Sequence, residues 1–449
     1  MGPLELGSLY IGITLILLFS GMPIAFALGA SALGFMYFFM PPMNLEILAE
    51  TLYGELDNFT LLTIPLFIIM GAAIGKTRAA ADLYESAYRW MNRMPGSLGV
   101  ANVIGCTVFA ALCGSSPATC AAIGGMGIPE MRKRGYSDAL ATGLIAAGGT
   151  LGILIPPSIT LIIYGLITEQ SIGQLFLAGV IPGLMLSALF AAYVVYRASK
   201  EIRMAHAANA TEAGSGSALA NQDHFTWKQR LEVLPKLLPF ALLIIAIMYS
   251  MYGGLGTPSE IAGVGAFGAM LLVATVYKCY HWAEVRAIFL GAAKESCMIM
   301  MIIAMAFLFT YVMSYLRITQ STAEWMTTLE MSRWEYLFWV NVLLLVLGCF
   351  LPPVAIILMV TPVILPGIIA HGFDPIWFGI VLTVNMELGL ITPPVGLNLF
   401  VLKGISPDIK NSAILRGVIP FILIMIGFIA LLAIFPQIVT YLPNMVGQS

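Results

Sequence analysis

Charge is what this sequence has least of. Only 10% of its 449 residues are charged, with 21 Lys and Arg against 23 Asp and Glu, whereas 59% are hydrophobic. An ordinary soluble domain carries about 25% charged residues, so this chain cannot cover itself with a water-facing surface. Many apolar runs reach the roughly 18–20 residues that a bilayer crossing needs. The composition therefore excludes a soluble globular protein and indicates a polytopic α-helical membrane protein.

The residue types of common catalytic and metal sites are also scarce. The four histidines fall at predicted loops or span ends, and the chain has no GxxxxGK[ST] phosphate loop. The six cysteines lie in apolar or small-residue stretches, and no His or carboxylate joins the three that recur every seven residues, Cys106, Cys113 and Cys120. A serine hydrolase would need a nucleophile–base pair that the sequence does not offer. We expect a protein that is not an enzyme, hydrolyses no ATP and needs no cofactor.

What the sequence does have is two similar apolar runs that each contain a double proline. GILIPPSITLIIY covers residues 152–164, and GLITPPVGLNLFV covers residues 389–401. Proline removes a backbone donor and clashes with the preceding turn, so the pairs predict broken helices over 137–168 and 375–403. In a bilayer, broken backbone is tolerated only inside protein or beside a watery cavity. The two breaks therefore predict binding sites.

Two further apolar regions are interrupted near their middle. Residues 97–130 contain the turn sequence GSSP, and residues 334–370 contain LPP. Their arms run only about 13–18 residues, which is short for full crossings. We predict two re-entrant helical hairpins, and two closely spaced ordinary spans in each region are the alternative. With about ten transmembrane crossings besides, the predicted fold is an all-α polytopic membrane protein.

The distribution of basic residues predicts the orientation of the chain. If the first residue faces outward, all of the 21 Lys and Arg residues except Arg317 and Arg333 fall in inside loops. This lopsided split agrees with the positive-inside rule and supports both the span list and the hairpins. Removing a single span from the list would move every later loop to the opposite side of the membrane. We therefore expect both termini on the outer side of the membrane.

The two halves of the chain repeat one another. Adding 237 to the numbers of Gly152 and Pro156 gives Gly389 and Pro393. Because each copy holds an odd number of crossings, the second lies upside down relative to the first. Inverted repeats with discontinuous helices are typical of secondary transporters. In chain order, the predicted units are a first repeat over residues 1–200, a cytoplasmic linker over 201–235 and a second repeat over 236–449.

The tip of the first hairpin, CGSSPATCAAIG, offers oxygen ligands. Gly114 permits a tight turn with close backbone approach. Ser115, Ser116 and Thr119 carry hydroxyls, and the helix that follows directs free amides at the tip. Turn carbonyls and hydroxyl oxygens suit a hard cation such as Na+. The alternative is that a Gly/Ser-rich turn only lets helices pack closely.

The second broken helix, TVNMELGLITPPVGLNLF, carries polar groups within a predicted span. Glu387 is the only carboxylate well inside a span, and such groups are costly there and usually face a cavity. It binds a cation, carries a proton or hydrogen-bonds as a neutral acid, and the sequence leaves these three interpretations open. Thr392, Pro393 and Pro394 form the break itself and complete the candidate ion site.

Candidate substrate ligands lie close to the breaks and in the second hairpin. The starts of half-helices can hold an anionic substrate through amides and hydroxyls. No well-buried Arg or Lys stands at mid-membrane, so an acid would depend on helix ends, hydroxyls or a co-bound cation. The candidate substrate residues are Ser158, Thr160, Thr361, Asn385 and Asn398.

Three segments carry a family resemblance. GSSPATCAAIGGMGIPEMRKRGY, LGILIPPSITLIIYG and GLITPPVGLNLFVLKGIS resemble the large membrane subunit of tripartite ATP-independent periplasmic (TRAP) transporters. The resemblance covers essentially the whole chain, from GMPIAFALG at residues 21–29 to the last span. It implies Na+-coupled uptake of organic acids, such as C4-dicarboxylates or sugar acids, across the bacterial inner membrane. The first tip and the second break match the family's ion-site regions.

The resemblance also implies a mechanism and partners. The hairpins and broken helices would form the moving domain of an elevator-type transporter. The partners would be a small four-span membrane subunit and a periplasmic substrate-binding protein, whose docking is one possible role for outer residues near Arg317, Glu324, Arg333 and Glu335. The alternative within the transporter class is a stand-alone ion-coupled dicarboxylate or anion carrier. A passive channel would instead fail to concentrate its substrate.

Overall fold

A computed structural model describes residues 2–42, 48–92, 94, 96–209, 225–328 and 331–446. Helices make up the regular structure of these residues, which contain no β-strand. Their α-helices are, in chain order, α1 (Pro3–Phe19), α2 (Ile24–Phe39), α3 (Leu48–Leu56), α4 (Thr63–Gly75), α5 (Ala79–Met91), α6 (Ser97–Cys113), α7 (Ser116–Lys133), α8 (Asp138–Thr150), α9 (Ile159–Thr168), α10 (Ile172–Asn209), α11 (Trp227–Glu232), α12 (Leu234–Tyr252), α13 (Pro258–Val276), α14 (Trp282–Tyr315), α15 (Ile318–Thr328), α16 (Arg333–Gly348), α17 (Pro353–Ala370), α18 (Pro375–Ile391), α19 (Leu397–Ile405), α20 (Asn411–Ile434) and α21 (Gln437–Val446).

Five of the described helices, α10, α13, α14, α17 and α20, are long and apolar enough to cross a membrane. Two bent helix pairs raise that number to seven if each pair forms one span. The prediction of an all-helical polytopic membrane protein is confirmed at this level. The finer expectation of ten crossings adds α1, α2 and the two broken helices and leaves out α17, and it stays a prediction.

Helix α17 is a special case among the five. The sequence predicts it as the second arm of the hairpin over 334–370, yet its 18 residues suffice to cross a bilayer by length and composition. Pro362 and Pro366 lie inside it without ending it. Neighbouring helices can satisfy the backbone groups that an internal proline frees, so prolines are tolerated in membrane helices.

The chain leaves the helix at the double prolines of both predicted broken helices. Helix α8 ends at Thr150, a 3-10 turn follows over Leu151–Ile153, and α9 begins at Ile159. Helix α18 ends at Ile391, and α19 begins at Leu397. Pro156-Pro157 and Pro393-Pro394 lie in the two intervening segments, and both peptide bonds are cis. The positions of the breaks follow from the amide hydrogen that each proline lacks.

Two helices extend further than the apolar runs indicate. Helix α14 begins at Trp282 instead of near residue 296, and α10 continues to Asn209. Charged residues end an apolar run, but Ala, Glu, Lys and Arg are good helix formers and prolong the helix beyond it. The predicted linker over 201–235 therefore contains the end of α10 and all of α11. Its residues 210–224 lie outside the described part of the chain.

Glycines bring helices of the two halves into close contact. A Cβ atom on Gly143 of α8 would lie 2.1 Å from the carbonyl oxygen of Gly417 of α20, and one on Gly417 would lie 2.0 Å from the carbonyl oxygen of Ala139. In the equivalent place of the other half, α10 contacts α18. Small residues permit this backbone approach between membrane helices. Each half thus packs its last long helix against the broken helix of the other.

The α8–α20 contact predicts a specific sensitivity to size. In Gly143→Ala the added methyl group meets backbone atoms that cannot rotate away, so we expect a loss of about 1–3 kcal/mol in the free energy of unfolding. Thermal unfolding of the purified protein in detergent measures it. Gly427→Ala on α20 is the matched control, because a Cβ atom added at Gly427 would have no neighbouring atom within 4 Å. Equal melting temperatures for both variants would contradict the packing described.

Candidate functional site

The tip of the first hairpin lies directly against the first break. Gly114 ends α6 with a φ of 63°, in the left-handed region that favours glycine. A Cβ on Gly152, within the break, would lie 3.0 Å from the carbonyl oxygen of Ser115. Ser116 Oγ donates a hydrogen bond to the carbonyl oxygen of Thr150 at 3.1 Å. Helix end, hairpin tip and break therefore form one contiguous polar region inside the protein.

The other hydroxyls of this region bond to nearby backbone. Thr119 Oγ1 donates to a carbonyl at the tip at 2.9 Å. Ser158 Oγ donates to the carbonyl of Ile153 at 2.5 Å and accepts from the amide of Leu161 at 3.3 Å, which caps α9. Thr160, in the first turn of α9, is also buried. A hydroxyl that donates its single hydrogen keeps oxygen lone pairs, so these groups retain capacity to bind a cation.

The second hairpin tip contacts the second break in the equivalent way. A Cβ on Gly389 would lie 2.7 Å from the Cα of Gly348, the last residue of α16. The amide of Gly396, whose φ is 59°, donates to the carbonyl of Cys349 at 3.5 Å. Gly389 is the residue that the repeat pairs with Gly152. Both halves therefore use a glycine of the break to admit the backbone of a hairpin tip.

The predicted residues of the second break differ in exposure. Thr392 is half-buried, and its Oγ1 donates to the carbonyl of Leu388 at 2.6 Å. Pro393 and Pro394 are exposed. Their rings carry no ligand atom, and their backbone carbonyls are the groups that they can offer to an ion. Proline has a carbonyl acceptor but no amide donor.

Asn398 connects the second break to the first half of the chain. Its Nδ2 donates to the carbonyl of Ala146 in α8 at 3.1 Å. Its backbone carbonyl lies 3.9 Å from the sulfur of Cys120 in α7. The start of α19 thus lies against both helices that carry the first tip and the first break. The structure brings the two candidate regions together at this residue.

Buried oxygens without partners mark the second half of the site. Both carboxyl oxygens of Glu387, Oδ1 of Asn398 and Oγ1 of Thr361 have no hydrogen-bond partner within the described residues. All three residues are 0% exposed. Leaving a buried polar group unsatisfied costs about 1–3 kcal/mol, and more for a charged one. A cation or a proton bound at each of these oxygens would supply the missing interaction.

Asn385 lies apart from these groups. Its Nδ2 donates to the backbone oxygen of Asn341 at 3.0 Å and to the side-chain oxygen of Asn341 at 2.9 Å. Both asparagines line a groove of 320 Å³ beside Trp334 and Phe338, between α16, α18 and α20. Residues two apart on a helix do not face each other, so Asn385 and Glu387 point to different sides of α18.

Two charged residues beside the first tip escape the sequence pattern. Lys76, which follows α4, and Glu295 of α14 line a cavity of 450 Å³ together with Ser115. Both lie near the ends of apolar runs, where charges are ordinary and attract no notice. The available signal is helical spacing, because Glu295 is three residues after Ala292 and four before Ile299, both of which are buried.

The fold and the paired breaks define a polytopic membrane protein with two interrupted helices. Its architecture is similar to that of the YdaH transporter of Alcanivorax borkumensis, with a TM-score of 0.61 over 88% of this chain and 89% of that one, at 14% sequence identity. This likeness concerns the fold alone. The sequence itself matches the family described as "Tripartite ATP-independent periplasmic transporter, DctM component" over residues 11–438. The chain belongs to this family and is a transporter permease, not an enzyme.

Two relatives show the extent of the similarity. The chain is 38% identical over 410 residues to the C4-dicarboxylate TRAP transporter large permease protein DctM of Pseudomonas aeruginosa, covering 91% of this chain and 92% of that protein. It is 31% identical over 424 residues to the isethionate TRAP transporter permease protein DctMQ of Oleidesulfovibrio alaskensis, covering 93% of this chain but 63% of that protein. The family assignment therefore extends over nearly the whole chain.

The Asn341–Asn385 pair generates a stability prediction. Asn385→Leu removes two buried hydrogen bonds, and we expect it to lower the free energy of unfolding by about 1–2 kcal/mol. Asn341→Leu and the double variant complete a double-mutant cycle, measured by thermal unfolding. Contacting residues show coupling of about 0.5–3 kcal/mol. Strictly additive effects would mean that the two side chains do not interact.

Proposed function

We propose that this chain is the large permease of a Na+-coupled secondary transporter that imports small organic acids by an elevator mechanism. C4-dicarboxylates, sugar acids and similar carboxylates form the substrate class. Membership in the TRAP family supports the proposal, as do the organic anions in the names of its relatives. The competing candidate is a stand-alone ion-coupled anion carrier of related architecture.

The observation that carries the proposal is the set of buried oxygens without hydrogen-bond partners at Glu387, Asn398 and Thr361. In a membrane interior, such oxygens and broken backbone persist where they bind ions or solutes. We assign the Na+ ligands to the first hairpin tip and the second broken helix. We assign the substrate ligands to the two broken helices and the second hairpin. The proposed Na+ ligands are Gly114, Ser115, Ser116, Thr119, Glu387, Thr392, Pro393 and Pro394. The proposed substrate ligands are Ser158, Thr160, Thr361, Asn385 and Asn398.

The moving domain comprises the hairpins over 97–130 and 334–370 with the broken helices over 137–168 and 375–403. The matching contacts of Gly152 with the first tip and of Gly389 with the second support two copies of one unit. We place the copies upside down relative to each other, over 1–200 and 236–449, joined by a cytoplasmic linker over 201–235. In this arrangement the chain crosses the bacterial inner membrane about ten times and keeps both termini in the periplasm.

Two partners complete the proposed transporter, a small four-span membrane subunit and a periplasmic substrate-binding protein. The word "tripartite" in the family description supports three components. Purification of the tagged chain from its native membrane discriminates between the candidates. A small membrane protein should co-purify in constant ratio, and a binding protein should be required for uptake. Full uptake by the chain alone would favour the stand-alone carrier.

Ser116 and Asn398 provide the first functional test. Each variant is reconstituted in liposomes together with the partner proteins, and uptake is driven by a Na+ gradient without ATP. We expect Ser116→Ala and Asn398→Ala to abolish this uptake, because each substitution removes an oxygen ligand. Both variants should still yield folded protein by size-exclusion chromatography. Ser20→Ala, which removes an exposed hydroxyl far along the chain from either region, is the control. Wild-type uptake in both site variants would remove these residues from the site.

Glu387→Gln separates the three roles open to this carboxyl group. As a Na+ ligand, its loss should raise the Na+ concentration for half-maximal uptake at least tenfold, because the amide keeps the shape but loses the charge. As a proton carrier, its loss should abolish the pH dependence of uptake with little change in Na+ dependence. We expect the first outcome. Unchanged uptake at every pH and Na+ concentration would identify a neutral hydrogen-bonding acid.

A further inference from the structure

The cavity beside the first hairpin tip has the dimensions of a small-molecule site. Its volume of 450 Å³ lies within the roughly 300–1,000 Å³ of ligand pockets. Its walls are α4, α14, the hairpin tip and the start of α9, so it adjoins the candidate ion ligands Ser115 and Ser116. Small residues on two walls, among them Gly75 and Ala118, provide the room.

Two opposite charges line this cavity. Lys76 is the single cation and Glu295 the single anion among its lining residues. No ion pair or hydrogen bond joins their side chains in the part of the chain that the structure describes, and both residues are exposed. Two charges that line one cavity and do not pair with each other remain available to a ligand. The cavity therefore offers a ligand one positively charged and one negatively charged side chain.

Glu295 lies beside buried residues of its helix. Ala292 and Ile299, one turn before and one turn after, are buried on the inner face of α14. The adjacent Ser296 is buried too, and its Oγ has no hydrogen-bond partner among the described residues. Glu295 itself is exposed, where the apolar part of α14 begins, and it lines the cavity, so its carboxylate is accessible to a ligand there.

We propose that Lys76 and Glu295 determine the substrate class, selecting carboxylates that also carry a protonated amine over dicarboxylates. This inference rests on the proposed function, which it narrows. The carboxylate of such a zwitterion binds Lys76 and the hydroxyl of Ser115, while its ammonium group binds Glu295. A dicarboxylate of the same length would direct its second carboxylate at Glu295, with no second cation in the lining to hold it. The carboxylate of Glu295 would repel a second carboxylate and attract an ammonium group, and both effects are strongest where water is excluded.

The test compares two probes that differ at one end. Succinate and 4-aminobutanoate each have a four-carbon chain with a carboxylate at one end. At the other end succinate has a second carboxylate, whereas 4-aminobutanoate has a carbon that bears an ammonium group. Their binding to the full-length permease, purified with its co-purifying subunits into nanodiscs, is measured by calorimetry at saturating Na+. The binding protein is omitted so that its own selectivity does not contribute. We expect 4-aminobutanoate to bind at least tenfold more tightly.

Three variants and a control assign the preference to the charges. Glu295→Gln should abolish the preference, and Glu295→Lys should reverse it in favour of succinate by at least tenfold. Lys76→Gln should weaken the binding of both probes at least tenfold, because each probe presents a carboxylate to Lys76. Glu284→Gln, at the exposed start of the same helix and outside the cavity, should change neither. Melting temperatures verify that each variant is folded, and Glu295→Gln retains the test if Glu295→Lys does not fold.

The outcomes separate this inference from the proposed function. Tighter binding of succinate by the wild type, an unchanged preference in a folded Glu295 variant, or binding of neither probe at millimolar concentration would overturn the inference. Uptake of organic acids in liposomes, with partners and a Na+ gradient, is measured in parallel. Na+-driven uptake of dicarboxylates would leave the proposed function intact while the inference fails. Absence of Na+-driven uptake of any acid would overturn the proposed function itself.

Discussion

Backbone that leaves the helix inside a membrane must find hydrogen-bond partners within the protein, and much of this fold follows from that requirement. Each unsatisfied amide or carbonyl in hydrocarbon costs several kcal/mol. At the first break, Ser116 contacts the carbonyl of Thr150, and Ser158 contacts that of Ile153. The hairpin tip therefore bonds a carbonyl at the end of α8, and Ser158 bonds the carbonyl that Pro157, lacking an amide hydrogen, leaves free. A polar region deep in an apolar protein is stable because hairpin and break support each other.

The same requirement explains where glycine occurs. Gly152 and Gly389 lie at equivalent places in the two breaks, and in each a side chain would meet the backbone of the nearby hairpin tip. Gly143 and Gly417 similarly let the two halves approach at the α8–α20 crossing. The result is a close contact among both tips, both breaks and the helices that carry them. Oxygens left without partners within this contact are the groups that can respond to an ion.

Much of this organisation could be predicted from the sequence, because it depends on residues with strong local effects. Proline pairs determine the breaks, and Gly114 permits the left-handed turn that ends α6. Properties that depend on tertiary packing could not be predicted. The hydrogen bonds of Asn385 with Asn341 depend on how α16 packs against α18. The cavity role of Glu295 becomes visible only when α14 is packed against the first tip.

Direct binding of radioactive Na+ to the purified, full-length chain tests the central claim most directly, because it needs neither substrate nor binding protein. The account predicts saturable binding that unlabelled Na+ displaces and equal K+ does not. It also predicts that binding is lost when the tip or break oxygens are removed in a chain that still folds. Absence of saturable binding, or saturable binding that is unchanged without those oxygens, would contradict it.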